Sequence, residues 1–262
     1  MIDDQCFSFA GKFIPKLEFG DWASSTLAKL FPSFSSNLET NDYISYEHNK
    51  EFDKFRNKKI LVVGGGPTTN NLDLNKLDID YIFTANSFFL NNTLKDKKID
   101  IAMIGADVDT TCDEFIKYVE TFQPWLGFEI HNKWDAFDSH QYLNEHLYQS
   151  YNKMFCMQTR YYGCVGVCHR LLVLAMQLGA KEIYHIGIDG PIGMISGNHA
   201  FESNKANLPK LPTYLNKDNA KEIFLNAYKD FFTHVKEDII YNGKLINLGK
   251  EDPNNILPEY NY

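Results

Sequence analysis

From Lys59 onward, short apolar runs alternate with longer segments whose apolar positions recur at helical spacing. The clearest run is Ile60-Leu61-Val62-Val63, four aliphatic residues without polar alternation. Such a run suits a parallel strand covered on both faces. Strands are predicted at 59–64, 80–86, 99–105, 126–131, 153–157 and 182–187, with one or two more among 238–248. Helical segments fall near 88–96, 112–123, 140–150, 164–178 and 218–235. This alternation predicts an α/β fold: a doubly wound, mostly parallel, Rossmann-like sheet with right-handed crossovers. Residues 164–178 are apolar on nearly every side, which predicts a central buried helix ended by Gly179 as its C-terminal cap.

Two stretches break the rhythm. Residues 1–56 are aromatic-rich, are interrupted by Pro15, Gly20 and Pro32, and carry a short helical pattern near Trp22 to Leu30. They are expected to form an N-terminal helical arm or appendage that covers the domain or joins a neighbouring subunit. Residues 57–262 are expected to form one Rossmann-like domain. Between Ile188 and Asn216 lies a long connection carrying Gly190-Pro191-Ile192-Gly193, Gly197, Pro209 and Pro212. Connections of this length in a compact domain are binding loops, lids or disordered insertions, and a substrate loop is the expectation here.

Composition narrows the partners. The 262 residues carry a net charge of −8, so no basic surplus exists to neutralise a nucleic-acid backbone. No apolar run approaches the roughly 18 residues of a membrane span. Met1-Ile2-Asp3-Asp4 lacks the basic start of a secretory signal. The five cysteines show no framework spacing and suit reduced thiols, which points to the cytoplasm. A homo-oligomer is compatible with the arm.

The chemistry concentrates after the first strand of the domain, in Gly64-Gly65-Gly66-Pro67-Thr68-Thr69. Three glycines admit a tight turn and close approach of a ligand to the backbone, and Pro67 suits a helix start. Strand, glycine loop and helix start together form a phosphate seat, with backbone N–H groups and a threonine hydroxyl as donors. A tight turn without a ligand is the alternative. No Gly-Lys-Thr follows, which excludes a Walker loop. The next strand ends in Asn86 where a dinucleotide site needs an acid, so a mononucleotide or nucleotide-sugar is preferred over NAD.

Ligands of open parallel sheets bind beyond the carboxyl ends of the strands. There the sequence sets Gly64 to Thr68, Asn86-Ser87, Asp107 and Asp109, His131-Asn132, Gln158-Thr159-Arg160, and Asp189. Asn86 is a candidate for a ribose hydroxyl or base edge, with Ser87 beside it. Asp107 and Asp189 are candidates for Mg²⁺, or either for a catalytic base. Arg160 is a candidate to offset charge on the leaving group. His199, in Ser196-Gly197-Asn198-His199 of the long connection, is a candidate acid or base, whereas His169 and His185 stand in apolar contexts and read as structural. A second glycine cluster, Gly163-Cys164-Val165-Gly166, opens the buried helix and suits either ligand contact or close packing.

Several of these segments resemble two related groups: the MptE-like family of 6-hydroxymethylpterin diphosphokinases and motility accessory factors, and the bacterial lipooligosaccharide sialyltransferases. The shared features are a Gly-x-Gly-Pro-Ser/Thr loop, matched by Gly64 to Thr68, and a strand ending Thr84-Ala85-Asn86-Ser87. A third is Leu178-Gly179-Ala180-Lys181-Glu182-Ile183-Tyr184-His185-Ile186-Gly187-Ile188-Asp189. The MptE-like pattern adds an Asp after the third strand, resembling Asp100 and Asp107, and a Ser-Gly-Gly-Ser-Val segment resembling Gly163 to Val167. The sialyltransferases carry Asn where this chain has Gly65. Their histidine precedes a late helix, where Asn216 to Ala220 has none, so His199 would stand in for it. The resemblance implies a nucleotide-dependent transferase, preferably a sialyltransferase-like glycosyltransferase with a nucleotide-sugar donor. The alternatives are a Mg²⁺-dependent diphosphokinase using ATP and a nucleotide-binding protein without catalysis.

Overall fold

The computed structural model describes residues 6–9, 12–15, 50–105, 108–128, 151, 153–156, 167–189, 199–202 and 241–251. Cys6–Phe9 (β1) and Lys12–Pro15 (β2) pair as an antiparallel hairpin. These are the described residues of the N-terminal arm before Lys50; the helical pattern near Trp22 to Leu30 lies outside the described residues. The domain itself is built on Lys59–Val63 (β3), Tyr81–Ala85 (β4), Ile101–Ile104 (β5), Trp125–Phe128 (β6), Met154–Cys156 (β7), Glu182–Ile186 (β8) and Lys244–Asn247 (β9). Every pairing among these seven strands is parallel, in the order β7-β6-β5-β4-β3-β8-β9. The fold is the expected Rossmann-like α/β arrangement.

Both faces of the sheet are covered, which is why its central strands read as unbroken apolar runs. On one face Val167–Gln177 (α2) packs with Phe52 and Phe55 against Ile60, Val62, Phe83 and Ile183. On the other, Asp113–Phe122 (α1) presents Phe115, Tyr118 and Val119 to Leu61, Val63, Ala102 and Ile104. Fully burying an aromatic or aliphatic side chain contributes about 1.5–3 kcal/mol. The α2 helix ends as predicted at Gly179, whose φ is +76°. Ala180 N–H donates to the Ala175 carbonyl at 3.1 Å and Gly179 N–H to that of Met176 at 3.0 Å, which completes a Schellman cap. The expected helices at 140–150 and 218–235 lie outside the described residues.

Two expected helices are shorter than their patterns. At 88–96 the regular part is a 3-10 turn, Phe88–Leu90. The Asn91 side chain then accepts from Thr93 N–H at 2.9 Å, a local bond that competes with helix propagation. After the glycine loop, Pro67–Asn71 is again a 3-10 turn.

The strand order places a switch point in the middle of the sheet. The chain runs outward from β3 through β4 to β7, then returns to lay β8 on the other side of β3. The connections leaving β3 and β8 therefore diverge at their carboxyl ends. A crevice opens at such a point.

Candidate functional site

The residues that close the switch point are small because the two strand ends touch. Gly64 N–H donates to the Ile186 carbonyl and Gly66 N–H to the Gly187 carbonyl, both at 2.8 Å. A Cβ on Gly64 would overlap the Gly187 carbonyl, and one on Gly187 would overlap the Thr69 hydroxyl. Gly187 also has φ +71°, which a side chain resists. Sequence analysis singled out the first of these glycines for ligand approach. In the structure Gly64 serves the approach of one strand end to another.

Asp189 lies beneath this loop, 2 % exposed. Its Oδ2 accepts from Thr68 N–H at 2.9 Å and its Oδ1 from the Thr68 hydroxyl at 2.6 Å. The same hydroxyl accepts from Gly187 N–H at 2.9 Å. Thr69 donates its hydroxyl to the Gly64 carbonyl at 2.7 Å and its N–H to the Gly66 carbonyl at 3.1 Å. Carboxylate, hydroxyls and turn thus form one buried lattice that fixes the glycine loop. The position of the carboxylate at the start of the 3-10 turn also satisfies a backbone donor that the turn cannot.

The lattice determines which donors the loop presents. Pro67 has no N–H, and those of Gly64, Gly66, Thr68 and Thr69 are engaged. Among residues 64–69 the Gly65 N–H is the one donor without an acceptor among the described residues.

His199 lies directly on that residue. A Cβ on Gly65 would overlap the His199 ring at Cε1 and Nε2. Ala200 N–H donates to the Gly65 carbonyl at 2.8 Å, drawing this part of the long connection over the loop. The His199 Nδ1 accepts from Phe201 N–H at 3.3 Å, so the neutral ring carries its proton on Nε2, the edge facing Gly65.

Asn86 completes the rim. Its backbone is left-handed, φ 57°, and its Oδ1 accepts from Gly105 N–H at 3.0 Å, tying the end of β4 to that of β5. The Asn86 amide nitrogen has no acceptor among the described residues. Ser87 is buried and bonds to the Glu202 carboxylate. The structure therefore brings together Gly64, Gly65, Gly66, Pro67, Thr68, Asn86, Ser87, Asp189 and His199. Asp107, Arg160, Gly163 and Gly166 lie outside the described residues.

Sequence reasoning missed Asn91 and Glu202, which hold the His199 segment. Their visible signal is slight: Phe201, an apolar residue two positions after the histidine, marks a buried anchor within a polar connection. No cluster of three or more metal-ligating side chains occurs among the described residues. No described helix is long and apolar enough to cross a membrane.

The two histidines read as structural are both buried, His169 on α2 and His185 on β8. Desolvation lowers the His169 imidazole to about 3, with the neighbouring His185 and Arg170 adding to the effect. Desolvation alone lowers His185 to about 4.

No family model matches the chain, so the resemblance to the MptE-like family finds no support there. No curated protein matches it either. Among solved structures, one similar chain is the sialyltransferase CST-II in complex with a trisaccharide acceptor and CMP. It shares 19% identity at a TM-score of 0.44, over 74% of this chain and 82% of that one. Another is a single-residue variant of CST-II in complex with CMP, with 19% identity, a TM-score of 0.45, and coverage of 73% and 81%.

Proposed function

We propose that this chain is a glycosyltransferase whose donor is a sugar linked to a nucleoside monophosphate, with a sialic-acid-type sugar preferred. The observation that carries this reading is the donor inventory of the glycine loop. One N–H without an acceptor among the described residues, at Gly65, with the His199 imidazole beside it, suits a single phosphoryl group. A triphosphate needs an array of converging donors, and here that array is engaged within the protein. Asp189 also places a carboxylate directly beneath the loop, which disfavours a polyanion. The same carboxylate accepts two bonds from Thr68, so its role is to hold the loop rather than to bind Mg²⁺ or act as base. This disfavours the ATP-dependent diphosphokinase.

In this reading the phosphate lies on Gly65 N–H and the Asn86 amide reaches the ribose or base. His199 donates from Nε2 to the phosphate oxygen that leaves the sugar. The acceptor hydroxyl oxygen forms a bond to the anomeric carbon as the bond from that carbon to the phosphate oxygen breaks. The nucleoside monophosphate departs with its phosphate oxygen held by the hydrogen bonds from Nε2 and from Gly65 N–H, and the acceptor proton passes to solvent. A single positioned donor on such developing charge contributes roughly 10²–10³-fold.

The test is thermal stabilisation of the full chain by CMP, UDP, GDP and ATP, each with and without Mg²⁺, followed by turnover with the matching nucleotide-sugars. CMP is expected to stabilise without metal, and His199→Ala to lower kcat by about 10²–10³ with CMP affinity retained. Stabilisation by ATP only with Mg²⁺ would sink the proposal in favour of phosphoryl transfer. CMP binding without turnover of any CMP-sugar would favour a binding protein.

A further inference from the structure

The structure assigns Asn91, together with Ser87 and Glu202, as the residues that position His199, an inference resting on the role given to His199 above. The described residues that follow it are fastened one after another. Ala200, the next residue, is gripped on both sides of its backbone: its N–H by the Gly65 carbonyl at 2.8 Å, its carbonyl by the Asn91 amide at 3.0 Å. Phe201 sinks into the apolar cluster on the α1 face. Glu202 bonds to the Ser87 hydroxyl. Three consecutive residues, Ala200 to Glu202, are thereby fastened to the glycine loop, the turn after β4 and the apolar cluster.

Asn91 is suited to this task because it is itself fixed. It is 7 % exposed, its Oδ1 accepts from Thr93 N–H at 2.9 Å, and its own N–H donates to the Phe88 carbonyl at 2.9 Å. Its amide nitrogen can therefore point in one direction only. Neither Asn91 nor Ser87 touches the ring, so both are positioning residues. Both also belong to the turn after β4 that begins at Asn86. One turn thus presents the nucleoside contact and holds the hydrogen-bond donor His199, which fixes the distance between them. A misplacement of about 1 Å can cost on the order of 10² in rate.

The experiment uses the full chain and CMP-sialic acid, read by CMP release, with proton NMR of the Gly65 α-protons as an activity-independent probe. The His199 ring lying on Gly65 shifts those protons through its ring current, and His199→Ala identifies that shift. Asn91→Asp keeps the acceptor for Thr93 and removes the donor to Ala200. It is expected to lower kcat roughly 10- to 100-fold with KM for the donor within about twofold, and to diminish the Gly65 shift. Ser87→Ala should do the same and Ser87→Thr should restore both readouts. The double variant His199→Ala/Asn91→Asp should be no slower than His199→Ala, since a misplaced residue that is already absent costs nothing more. Wild-type kcat and an unchanged Gly65 shift in Asn91→Asp would overturn the assignment, as would multiplicative losses in the double variant. Should Asn91→Asp fail to fold, the Ser87→Ala and Ser87→Thr pair decides the matter by the same criteria. If His199→Ala turns over like the wild type, the catalytic role of His199 fails. The Gly65 shift in Asn91→Asp then still decides whether the ring is positioned from Asn91.

Discussion

Replacing Asp189 with alanine separates a loop-holding carboxylate from a catalytic one. The side chain is 2 % exposed and accepts two bonds, from Thr68 N–H at 2.9 Å and from the Thr68 hydroxyl at 2.6 Å. A hydrogen bond to a charged group is worth about 1.5–3 kcal/mol, and a buried donor left unsatisfied costs about 1–3 kcal/mol. The hydroxyl can rotate and keeps its bond from Gly187 N–H, so its loss falls at the low end of that range. The backbone N–H of Thr68 cannot rotate, and its loss falls at the high end. The expected destabilisation is therefore about 3–5 kcal/mol, large against a typical total of about 5–15 kcal/mol. Urea unfolding followed by far-UV circular dichroism measures it, with unchanged slope and a lowered midpoint. Asp189→Asn should cost less, because the amide oxygen still accepts one of the two bonds. The Thr68→Ala/Asp189→Ala double variant should be well short of additive, because the two side chains share those bonds. An Asp189→Ala variant with wild-type midpoint and abolished turnover would refute this reasoning and return the carboxylate to the chemistry.

The glycine loop gives a contrasting pair: Gly64→Ala must displace the Gly187 backbone and should cost about 1–3 kcal/mol of stability. Gly65→Ala meets the His199 ring first, a side chain and not backbone, so it should leave the urea midpoint within about 1 kcal/mol of wild type while losing turnover as His199→Ala does. Equal midpoints for the two variants would contradict the packing described. A last expectation concerns acid. Burial holds the imidazoles of folded His169 and His185 down to about 3 and about 4, below the ordinary 6.5. The unfolded chain therefore binds more protons in that window. Their contribution is present above pH 6.5 and is lost as pH falls toward 4, by about 2 kcal/mol for each histidine between pH 7 and pH 5. His185→Gln should flatten the fall in urea midpoint over that range, and an undiminished slope would remove His185 from the acid response.

The sheet was legible in the sequence because parallel strands covered on both faces need no alternation, and Ile60 to Val63 and Ile101 to Ile104 are apolar without interruption. The cap at Gly179 was legible for an equally local reason, a glycine following a long apolar helix. What could not be read was how the strand ends meet. Asp189 stands where its strand ends, but the Thr68 it holds lies 121 positions away, and no local pattern encodes that pairing. The same distance hides the use made of the glycines. A glycine run after a strand suggests an approaching phosphate, yet Gly64 and Gly66 direct their N–H groups to the backbone of β8 and its following residue. The helix expected at 88–96 was shortened by one side chain, Asn91, whose bond to Thr93 is local, while its bond to Ala200 crosses 109 positions. The sequence thus discloses which residue types gather at the carboxyl edge. Their division between holding the loop and facing a ligand follows from the parallel pairing of β3 with β8, which brings Gly64, Gly187 and Asp189 into contact. In the function proposed above, that division leaves the Gly65 N–H as the loop's donor to a phosphate. It also leaves His199, drawn over Gly65 by the Ala200 bond, as the side chain that such a phosphate would meet first.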